Sequence, residues 1–336
     1  MINPILTIGI TTYERPASLK RAVGSVFEQR GVLPSEVEVI VVDDASPSQA
    51  AEAYLSALSN YSGPAGFPLR VIRHDEGSGG PSTGRNDIIK VATGNYLLFL
   101  DDDNLIAPDS LSPLVDYLRS SPMDWVSLRR CRNGKSFFRS PEGRHANLSR
   151  RDALWTFLIC GAFQRSTINA LELGFDPEVS YGEDNEFVLE FVTKANAFAA
   201  LSDRDYVIES DPASDELPHI SHLPPGVDFV RTLVAHVGRL SEIVARSSLD
   251  SNEKTDIAKL ILIRSIGSYK LDRKIARLKD DGDAQELLAQ WSALLRSTLT
   301  AEQVETLAAQ RGKQSILRAI ISRDLDSLRA AVAAAE

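Results

Sequence analysis

Cysteine is scarce in this chain of 336 residues, and long apolar runs are missing from it. The two cysteines, Cys131 and Cys160, are too few for a domain built on disulfides, so we expect both to be reduced thiols. No apolar run reaches the roughly 18 residues of a membrane-spanning helix, and residues 1–9 lack the features of a secretory signal. The sequence therefore predicts a cytoplasmic protein with no transmembrane segment, whose contact with a membrane would be peripheral and at its inner face.

Basic residues are outnumbered by acidic ones, 37 to 46, which gives a net charge of −9. Nucleic-acid binding draws on Lys and Arg to neutralise phosphates, so we expect no nucleic-acid partner. The excess is uneven, because residues 1–225 carry 20 basic and 31 acidic side chains whereas residues 226–336 carry 17 and 15. This change of balance favours a division into two domains near residue 225.

The N-terminal part of the sequence alternates between short apolar runs and amphipathic segments. The runs predict β-strands at residues 5–10, 37–42, 69–72 and 96–100. The segments between them predict helices, one of them over residues 48–58. This alternation is typical of an α/β fold whose mostly parallel sheet is covered by helices on both faces.

Beyond residue 103 the pattern becomes less regular and then wholly helical. We expect strands at residues 125–128 and 135–139, a helix at residues 183–194 and a loop at residues 210–226. Further helices are predicted at residues 227–247, 253–278, 284–298, 301–310 and 314–335, with a break at Gly282. The sequence thus predicts an α/β domain over residues 1–225 and an all-helical domain over residues 226–336.

Acidic residues follow two of the predicted strands directly. Asp43 and Asp44 close the second strand, and Asp101, Asp102 and Asp103 close the fourth. Open parallel sheets bind ligands beyond the carboxyl ends of their strands, and adjacent carboxylates are commonly relieved by a hard cation such as Mg²⁺ or Mn²⁺. The alternative is that the acidic run only begins a turn and caps a following helix.

A glycine-rich loop, residues 76–84, precedes Arg85 at the start of a predicted helix. It matches neither the phosphate-binding loop of nucleoside triphosphatases nor the dinucleotide-binding fingerprint. Its glycines would let the backbone approach a ligand closely at a helix N-terminus. The alternative is an ordinary flexible surface loop.

Five short segments, in this order, resemble the signature of family 2 glycosyltransferases. They are TTYERP at residues 11–16, VVDDAS at 41–46, GGPSTGRN at 79–86, FLDDD at 99–103 and GED at 182–184. The resemblance covers roughly residues 4–210. It implies a GT-A fold, a nucleotide-diphosphate sugar donor, a divalent cation, and inversion at the anomeric carbon.

The same resemblance implies which residues bind the nucleotide. Thr12, Tyr13 and Glu14 would border it, and Asp43 would hydrogen-bond its uracil or ribose. Arg85 would contact the diphosphate or the loop on the side of the base. The donor site would therefore gather residues from the first three of the five segments.

The last two segments would carry the chemistry. Asp101 and Asp103 match the outer positions of the family's D-x-D motif, so the first would face ribose or sugar and the second would bind the metal. Asp102 fills the middle position and would assist either. Asp184 matches the catalytic base that takes the proton of the acceptor hydroxyl, and its neighbour Glu183 would bind the acceptor or assist.

Two features outside the signature extend these expectations. His219 or His222 would supply a further metal ligand, the alternative being a pair of solvent-exposed histidines. A basic cluster at residues 273–279 is either a solvated face or a contact for an anionic acceptor or membrane surface. By analogy, the helical domain would serve acceptor binding or homo-oligomer formation.

The resulting hypothesis is a metal-dependent, inverting transfer of a sugar from a UDP-sugar to a hydroxyl of a glycan, polyol-type or other cell-surface polymer. Among donors, UDP-N-acetylglucosamine comes first, with UDP-glucose and UDP-galactose close behind. One alternative is a nucleotidyltransferase, although residues 11–16 lack the basic glycine-rich stretch expected of one. Another is a non-catalytic, UDP-binding assembly subunit of a polysaccharide synthase.

Overall fold

The structure is a computed structural model that describes residues 3–61, 63–137, 143–154, 159–179, 181–214, 216–217, 226–311 and 313–335. The chain divides into two compact units, Met1–Leu223 and Pro224–Glu336. The domain boundary predicted after residue 225 falls at a stretch, residues 218–225, that lies outside the described residues.

Three β-α repeats and a fourth strand build the first half of the first unit. In chain order they are β1 (Leu6–Thr12), α1 (Pro16–Phe27), β2 (Val37–Asp43), α2 (Gln49–Leu58), β3 (Leu69–Arg73), α3 (Pro81–Val91) and β4 (Tyr96–Asp101). The strands are parallel in the order β3-β2-β1-β4. Residues of both faces of β1, β2 and β4 are buried, which is why these strands read as nearly continuous apolar runs.

The sheet continues past β4 with mixed strand directions. The added elements are α4 (Leu111–Ser120), β6 (Trp125–Leu128), β9 (Arg144–Ala146), α5 (Arg150–Ala153), β10 (Gly161–Gln164), α6 (Arg165–Ala170), α7 (Glu183–Lys194) and β11 (Phe198–Leu201). Beyond β4 the strand order is β10-β6-β11-β9. Strand β10 is antiparallel to both β4 and β6, whereas β6 and β11 are parallel. The predicted α/β class with a mostly parallel sheet is confirmed.

A second, smaller sheet lies beside the acidic turn that follows β4. It contains β5 (Leu105–Ile106), β7 (Arg130–Arg132), β8 (Lys135–Phe137) and β12 (Val207–Glu209), in the order β5-β12-β7-β8. Strand β8 ends at Phe137, and residues 138–142, to which the prediction partly extended, lie outside the described residues. These strands of two or three residues are too short to show a hydrophobic period.

One glycine allows α3 to lie close to the carboxyl ends of the strands. A Cβ atom on Gly84 would lie 2.9 Å from Cγ2 of Thr11 and 3.3 Å from Cγ1 of Val42. Any larger residue would push the helix away from β1 and β2. Gly84 therefore places the next residue, Arg85, at the edge of the sheet where the strands end.

The second unit is helical throughout its described residues, as predicted. Its helices are α8 (Val227–Arg246), α9 (Ser251–Gly267), α10 (Leu271–Ala276), α11 (Asp281–Thr298), α12 (Ala301–Arg311), α13 (Gln314–Ser322) and α14 (Leu325–Ala333). Buried Leu and Ile side chains and the fully buried Trp291 form its core. In the described part of the chain, no helix combines the length and the apolar character needed to cross a membrane.

Two segments of this unit that were each predicted as one helix form two helices. The one expected at 253–278 is interrupted at Lys270, which has a left-handed φ of 49°, and the one expected at 314–335 is interrupted at Arg323, whose φ is 59°. Gly282 breaks nothing, because it lies in the first turn of α11. That helix begins after Asp280, whose carboxylate accepts the hydrogen bond of the Asp283 amide.

Candidate active site

The carboxyl ends of β1, β2 and β4 lie side by side at one edge of the sheet. Thr12 is paired with Asp43, and Thr11 with Asp101. This register brings the first loop, the end of β2 and the acidic turn at 101–103 together from distant parts of the sequence. It is the edge at which open α/β sheets bind their ligands.

Asp102 is almost fully buried in the acidic turn. Its carboxylate accepts hydrogen bonds from Thr12 Oγ1 at 2.8 Å and from Arg15 Nη1 at 3.1 Å. Burial raises the pKa of Asp102 to about 6, and Arg15 and Thr12 offset only part of that effect. The side chain predicted to assist Asp101 or Asp103 is thus held by Thr12 and Arg15.

Asp103 is 3% exposed and lies 3.4 Å from Arg15 Nη1. Burial, together with the neighbouring charges of Asp101 and Asp102, raises its pKa to about 7. Its backbone carbonyl accepts a hydrogen bond from the hydroxyl of Ser210, which directly follows β12. Asp103 is therefore a carboxyl group whose ionised form its surroundings stabilise only in part.

Arg85 joins the acidic turn to the start of α7. Its Nη2 donates to Asp101 at 2.9 Å and its Nη1 donates to Glu183 at 2.8 Å. The guanidinium is largely buried, with its carbon 5.3 Å from the centre of the Phe175 ring. The Arg85 guanidinium thus joins Asp101 and Glu183, two predicted site residues that are far apart in sequence.

Asp184 is the second residue of α7 and lies next to this ion pair. Burial raises its pKa, and the charges of Glu183 and Asp101 add to the effect, while Arg85 opposes it. The helix begins after Gly182, whose left-handed φ of 82° turns the chain into it. A carboxylate with a raised pKa binds a proton more readily than an ordinary aspartate, which suits a general base.

The first loop uses its polar side chains partly for its own structure. Glu14 has a φ of 54°, its amide donates to Ser46 Oγ, and its carboxylate accepts from the amide of Ser48 at the start of α2. Tyr13 is 44% exposed, so its ring is available to a ligand. Thr12 holds Asp102, as described above. These three predicted nucleotide-binding residues line the same edge, with Tyr13 the most accessible.

Asp43 is completely buried at the end of β2. Its two carboxylate oxygens accept hydrogen bonds from the Ser46 hydroxyl and amide, at 2.5 and 3.1 Å, and one lies 3.3 Å from Arg73 Nε. The carboxylate therefore fixes the turn after β2. A shallow depression beside it is lined by Thr12, Arg15, Pro16, Leu19, Asp43, Ser46, Ala51, Tyr54 and Leu55.

Sequence reasoning missed two residues of this edge, Arg15 and His74. Arg15 contacts Asp102 and Asp103 and also donates from Nε to the carbonyl of Leu217 at 3.1 Å. His74 contacts Asp44 and Asp87. The signal for Arg15 was its place inside the first segment of the signature, and no pattern in the sequence pointed to His74.

A divalent cation would have to be held by the acidic turn. Among the described residues no three His, Cys, Asp or Glu side chains are arranged as a metal site, and His219 and His222 lie outside them. The donors nevertheless fit: Mg²⁺ often binds through one or two carboxylates, completing its shell with water and substrate phosphates. The raised pKa of Asp103 marks a carboxylate that a cation would stabilise.

Comparison with known proteins identifies a family that part of this chain matches. The model of "Glycosyl transferase family 2" matches residues 7–169, which include the first loop, the end of β2, α3 and the acidic turn. Residues 7–169 of this chain therefore match a family 2 glycosyltransferase domain. The matched stretch ends before α7, so Glu183 and Asp184 lie beyond it.

Two relatives of this chain act on the same polymer according to their names. A poly(ribitol-phosphate) beta-glucosyltransferase of Bacillus spizizenii is 24% identical over 88% of this chain and 45% of its own length. The poly(ribitol-phosphate) beta-N-acetylglucosaminyltransferase TarP of Staphylococcus aureus is 20% identical over 74% of this chain and 75% of its own. The chain thus spans less than half the length of the Bacillus relative.

Solved structures show the same GT-A fold. Residues 1–349 of S. aureus TarS, in complex with UDP-GlcNAc, superpose with a TM-score of 0.78 at 19% identity, over 98% of this chain and 91% of that one. A mannosyltransferase of Pyrobaculum calidifontis, in complex with GDP-Man and Mn²⁺, gives a TM-score of 0.52 at 16% identity, over 99% and 87%. At these identities the likeness establishes only the fold of this chain.

Proposed function

We propose that this chain is an inverting glycosyltransferase that moves a sugar from a UDP-sugar to a hydroxyl of a polyol-phosphate polymer of the cell surface. The observation that carries the proposal is the cluster at the sheet edge: Arg85 ties Asp101 to Glu183, and Asp184 lies beside them with a raised pKa. Acceptor and donor classes are supported by the names of the relatives and by the UDP-GlcNAc complex of TarS.

Asp184 is the proposed general base. It takes the proton of the acceptor hydroxyl as that oxygen attacks the anomeric carbon from the face opposite the departing UDP, so the configuration inverts. Its raised pKa increases its affinity for that proton at the moment of attack. Glu183, held by Arg85, borders the acceptor, and Asp101 faces the ribose or sugar.

Asp103, with Asp102 and Asp101 beside it, is the proposed holder of a Mn²⁺ or Mg²⁺ ion. When bound, the cation would act as a Lewis acid on the leaving diphosphate. Thr12, Tyr13 and Glu14 would border the nucleotide, and Asp43 would hold the turn after β2 beside it. His219 or His222 would add a further ligand to the cation.

The two units divide the work in this proposal. The α/β unit carries donor binding and catalysis, and the helical unit serves acceptor binding or the association of copies of the chain. UDP-N-acetylglucosamine is the first donor to test, followed by UDP-glucose and UDP-galactose. A panel is needed because the two relatives that act on the same polymer differ in the sugar they transfer. Donor selection depends on pocket side chains rather than on the shared motifs.

The decisive experiment measures UDP release from a panel of UDP-sugars, with an oligomer of ribitol phosphate as acceptor. It uses Mn²⁺, Mg²⁺ or a chelator, and compares the wild type with Asp184→Asn. Removing the base is expected to lower the rate by about 10² to 10⁴ while leaving UDP binding intact. The matched control is Asp116→Asn, an exposed change on α4 that should leave the rate unchanged.

The outcomes separate the readings. Turnover of one donor that requires the metal and is lost in Asp184→Asn supports the enzyme and names the sugar. Metal-dependent UDP binding without turnover of any donor, with acceptor present, would instead favour a non-catalytic UDP-binding subunit. Absence of UDP binding under all conditions would overturn the proposal.

A further inference from the structure

His74 bridges two carboxylates beside residues 76–80, the part of the glycine-rich loop that precedes α3. Its Nδ1 lies 2.9 Å from Asp44 Oδ1, and its Nε2 lies 2.9 Å from Asp87 Oδ2. Asp44 follows β2, His74 follows β3 and Asp87 belongs to α3. The imidazole is 14% exposed and the Asp44 side chain 16%, whereas that of Asp87 is 37% exposed. One side chain thus fastens three elements together at the edge where the strands end.

The geometry of the bridge favours the protonated imidazole ring. An ionised carboxylate only accepts hydrogen bonds, and a neutral imidazole donates from one nitrogen, so both contacts are hydrogen bonds when the ring is an imidazolium. Burial opposes the charge, but the hydrogen bonds to Asp44 and Asp87 outweigh it and raise the pKa of His74. Among the charged groups packed against the ring, these two carboxylates act on it, one from each neighbouring element.

Asp44 passes the constraint on to the loop. Its two oxygens accept hydrogen bonds from the backbone amide of Ser78, at 2.9 and 3.1 Å. Residues 75–79 are otherwise exposed, and the Cβ position of Gly77 lies 3.5 Å from the Asp44 carbonyl oxygen. The place of the loop therefore depends on the orientation of the Asp44 carboxylate, which His74 sets.

Asp87 extends the bridge to the site itself. It lies on α3 two residues after Arg85, whose guanidinium joins Asp101 to Glu183. Holding Asp87 fixes the lateral position of α3 against β2 and β3. The same imidazole thus restrains both the loop at the start of α3 and the helix that carries Arg85.

We propose that His74 is a positioning residue for nucleotide binding: as an imidazolium between Asp44 and Asp87 it holds the glycine-rich loop and α3 in the arrangement that receives the nucleotide. This rests on the proposed function, in which the loop borders a UDP-sugar. When the ring loses its proton it keeps one of its two hydrogen bonds, so the loop loosens and nucleotide affinity falls. The direction is loss of affinity as the pH rises.

The test compares UDP affinity by calorimetry for the wild type and His74→Gln, with Mn²⁺, from pH 6.5 to pH 9. Glutamine donates like a neutral imidazole but does not titrate. Because UDP itself titrates near this range, the measured quantity is the ratio of the two dissociation constants at each pH. Loss of a hydrogen bond to a charged group predicts a ratio of about ten at pH 6.5, falling towards one at pH 9.

Two further variants make the result specific. His145→Gln, on the edge strand β9, is the matched control and should follow the wild type at every pH. Asp87→Asn removes one of the two charges that stabilise the imidazolium, so the midpoint of the His74 ring titration, read by NMR, should move to lower pH. A merely structural role would change the melting temperature and leave the affinity ratio flat across the pH range, which would overturn the proposal.

A readout without nucleotide keeps this inference separate from the proposed function. In the ligand-free protein, hydrogen exchange of the Ser78 amide should be faster in His74→Gln than in the wild type, by about tenfold near neutral pH. Unchanged exchange would show that the bridge does not hold the loop. If the wild type binds no UDP while the exchange changes as expected, the proposed function fails and the bridge stands as a structural device.

Discussion

Two acidic corners lie at the same edge of the sheet and are held in opposite ways. At the end of β2, hydrogen bonds from His74 and Ser78 overcome burial and lower the pKa of Asp44. At the end of β4, burial and like charges raise the pKa of Asp102 to about 6 and of Asp103 to about 7. The carboxylate of the first corner is satisfied by hydrogen bonds, whereas Arg15, Arg85 and Thr12 offset the charge of the second corner only in part.

The difference shows how one residue type serves two ends. A carboxylate surrounded by donors stabilises the fold, and a carboxylate crowded by other carboxylates in a buried place destabilises it until a cation or proton arrives. Strained charge of this kind clusters at functional sites. The second corner is therefore where we place the chemistry, and the first is where we place the support.

The largest effect is expected from replacing Arg85, whose guanidinium contacts Asp101 at the second corner. Arg85→Met leaves Glu183 and Asp101 without their partner, and because Asp101 is 38% exposed we expect a loss of about 2 to 3 kcal/mol in the free energy of unfolding. Urea unfolding at neutral pH measures this loss.

The control is Arg119→Met, which breaks exposed ion pairs to Glu36 and Asp116 and should cost about 0.5 kcal/mol or less in the free energy of unfolding. Equal losses in the two variants would contradict the contrast.

A smaller effect of opposite sign is expected for Asp103→Asn. Since the folded-state pKa of Asp103 is raised to about 7, its ionisation lowers stability as the pH rises from about 4 through 7. In the presence of a chelator the variant should therefore be about 1 to 2 kcal/mol more stable than the wild type at pH 8, and little different at pH 5.

The same variant tests the metal assignment. Addition of Mn²⁺ should raise the melting temperature of the wild type and leave that of Asp103→Asn unchanged. An Asp103→Asn protein that is less stable than the wild type at pH 8, or that still responds to Mn²⁺, would remove Asp103 from the role proposed for it.

The smallest effect belongs to the first corner. Asp44→Asn should destabilise by about 1 kcal/mol, because the ionised carboxylate accepts from His74 and from the Ser78 amide. The pKa of Asp44 is lowered, so its contribution is complete above the usual range of an aspartate and is lost only as the pH falls through the lowered value. The cost should thus be complete by pH 5 and should not increase up to pH 8, while the effect of Asp103→Asn grows over that range. Parallel pH dependences would break the comparison.

The part of the fold that could be predicted was the part with a clear period. Strands β1, β2 and β4 are buried on both faces and produce unbroken apolar runs, and α7 was predicted with its observed bounds. The breaks at Lys270 and Arg323 could not be predicted, because neither residue type favours a left-handed φ. The short strand β5 and its partners likewise depend on pairing rather than on local pattern.

The candidate site was predictable as a set of motifs and unpredictable as a set of contacts. Motif order placed Asp101, Arg85, Glu183 and Asp184 in one site, and the structure shows how they meet. That Arg15 would turn towards Asp102 and Asp103, or that His74 would find two carboxylates, depends on the register of neighbouring strands and on the approach of α3. Spacing along the chain carries no information about such distances.

The contact between Arg85 and Glu183 joins residues 98 positions apart, which bears on how the protein is made. At about 5 to 20 residues per second, a ribosome adds Glu183 roughly 5 to 20 seconds after Arg85. By then β1 to β4 are all synthesised and can already pair, with the guanidinium facing Asp101 alone. The contact between Arg85 and Glu183 therefore forms late during synthesis. A nascent chain that stops before α7 lacks Glu183 and Asp184, so its site is incomplete.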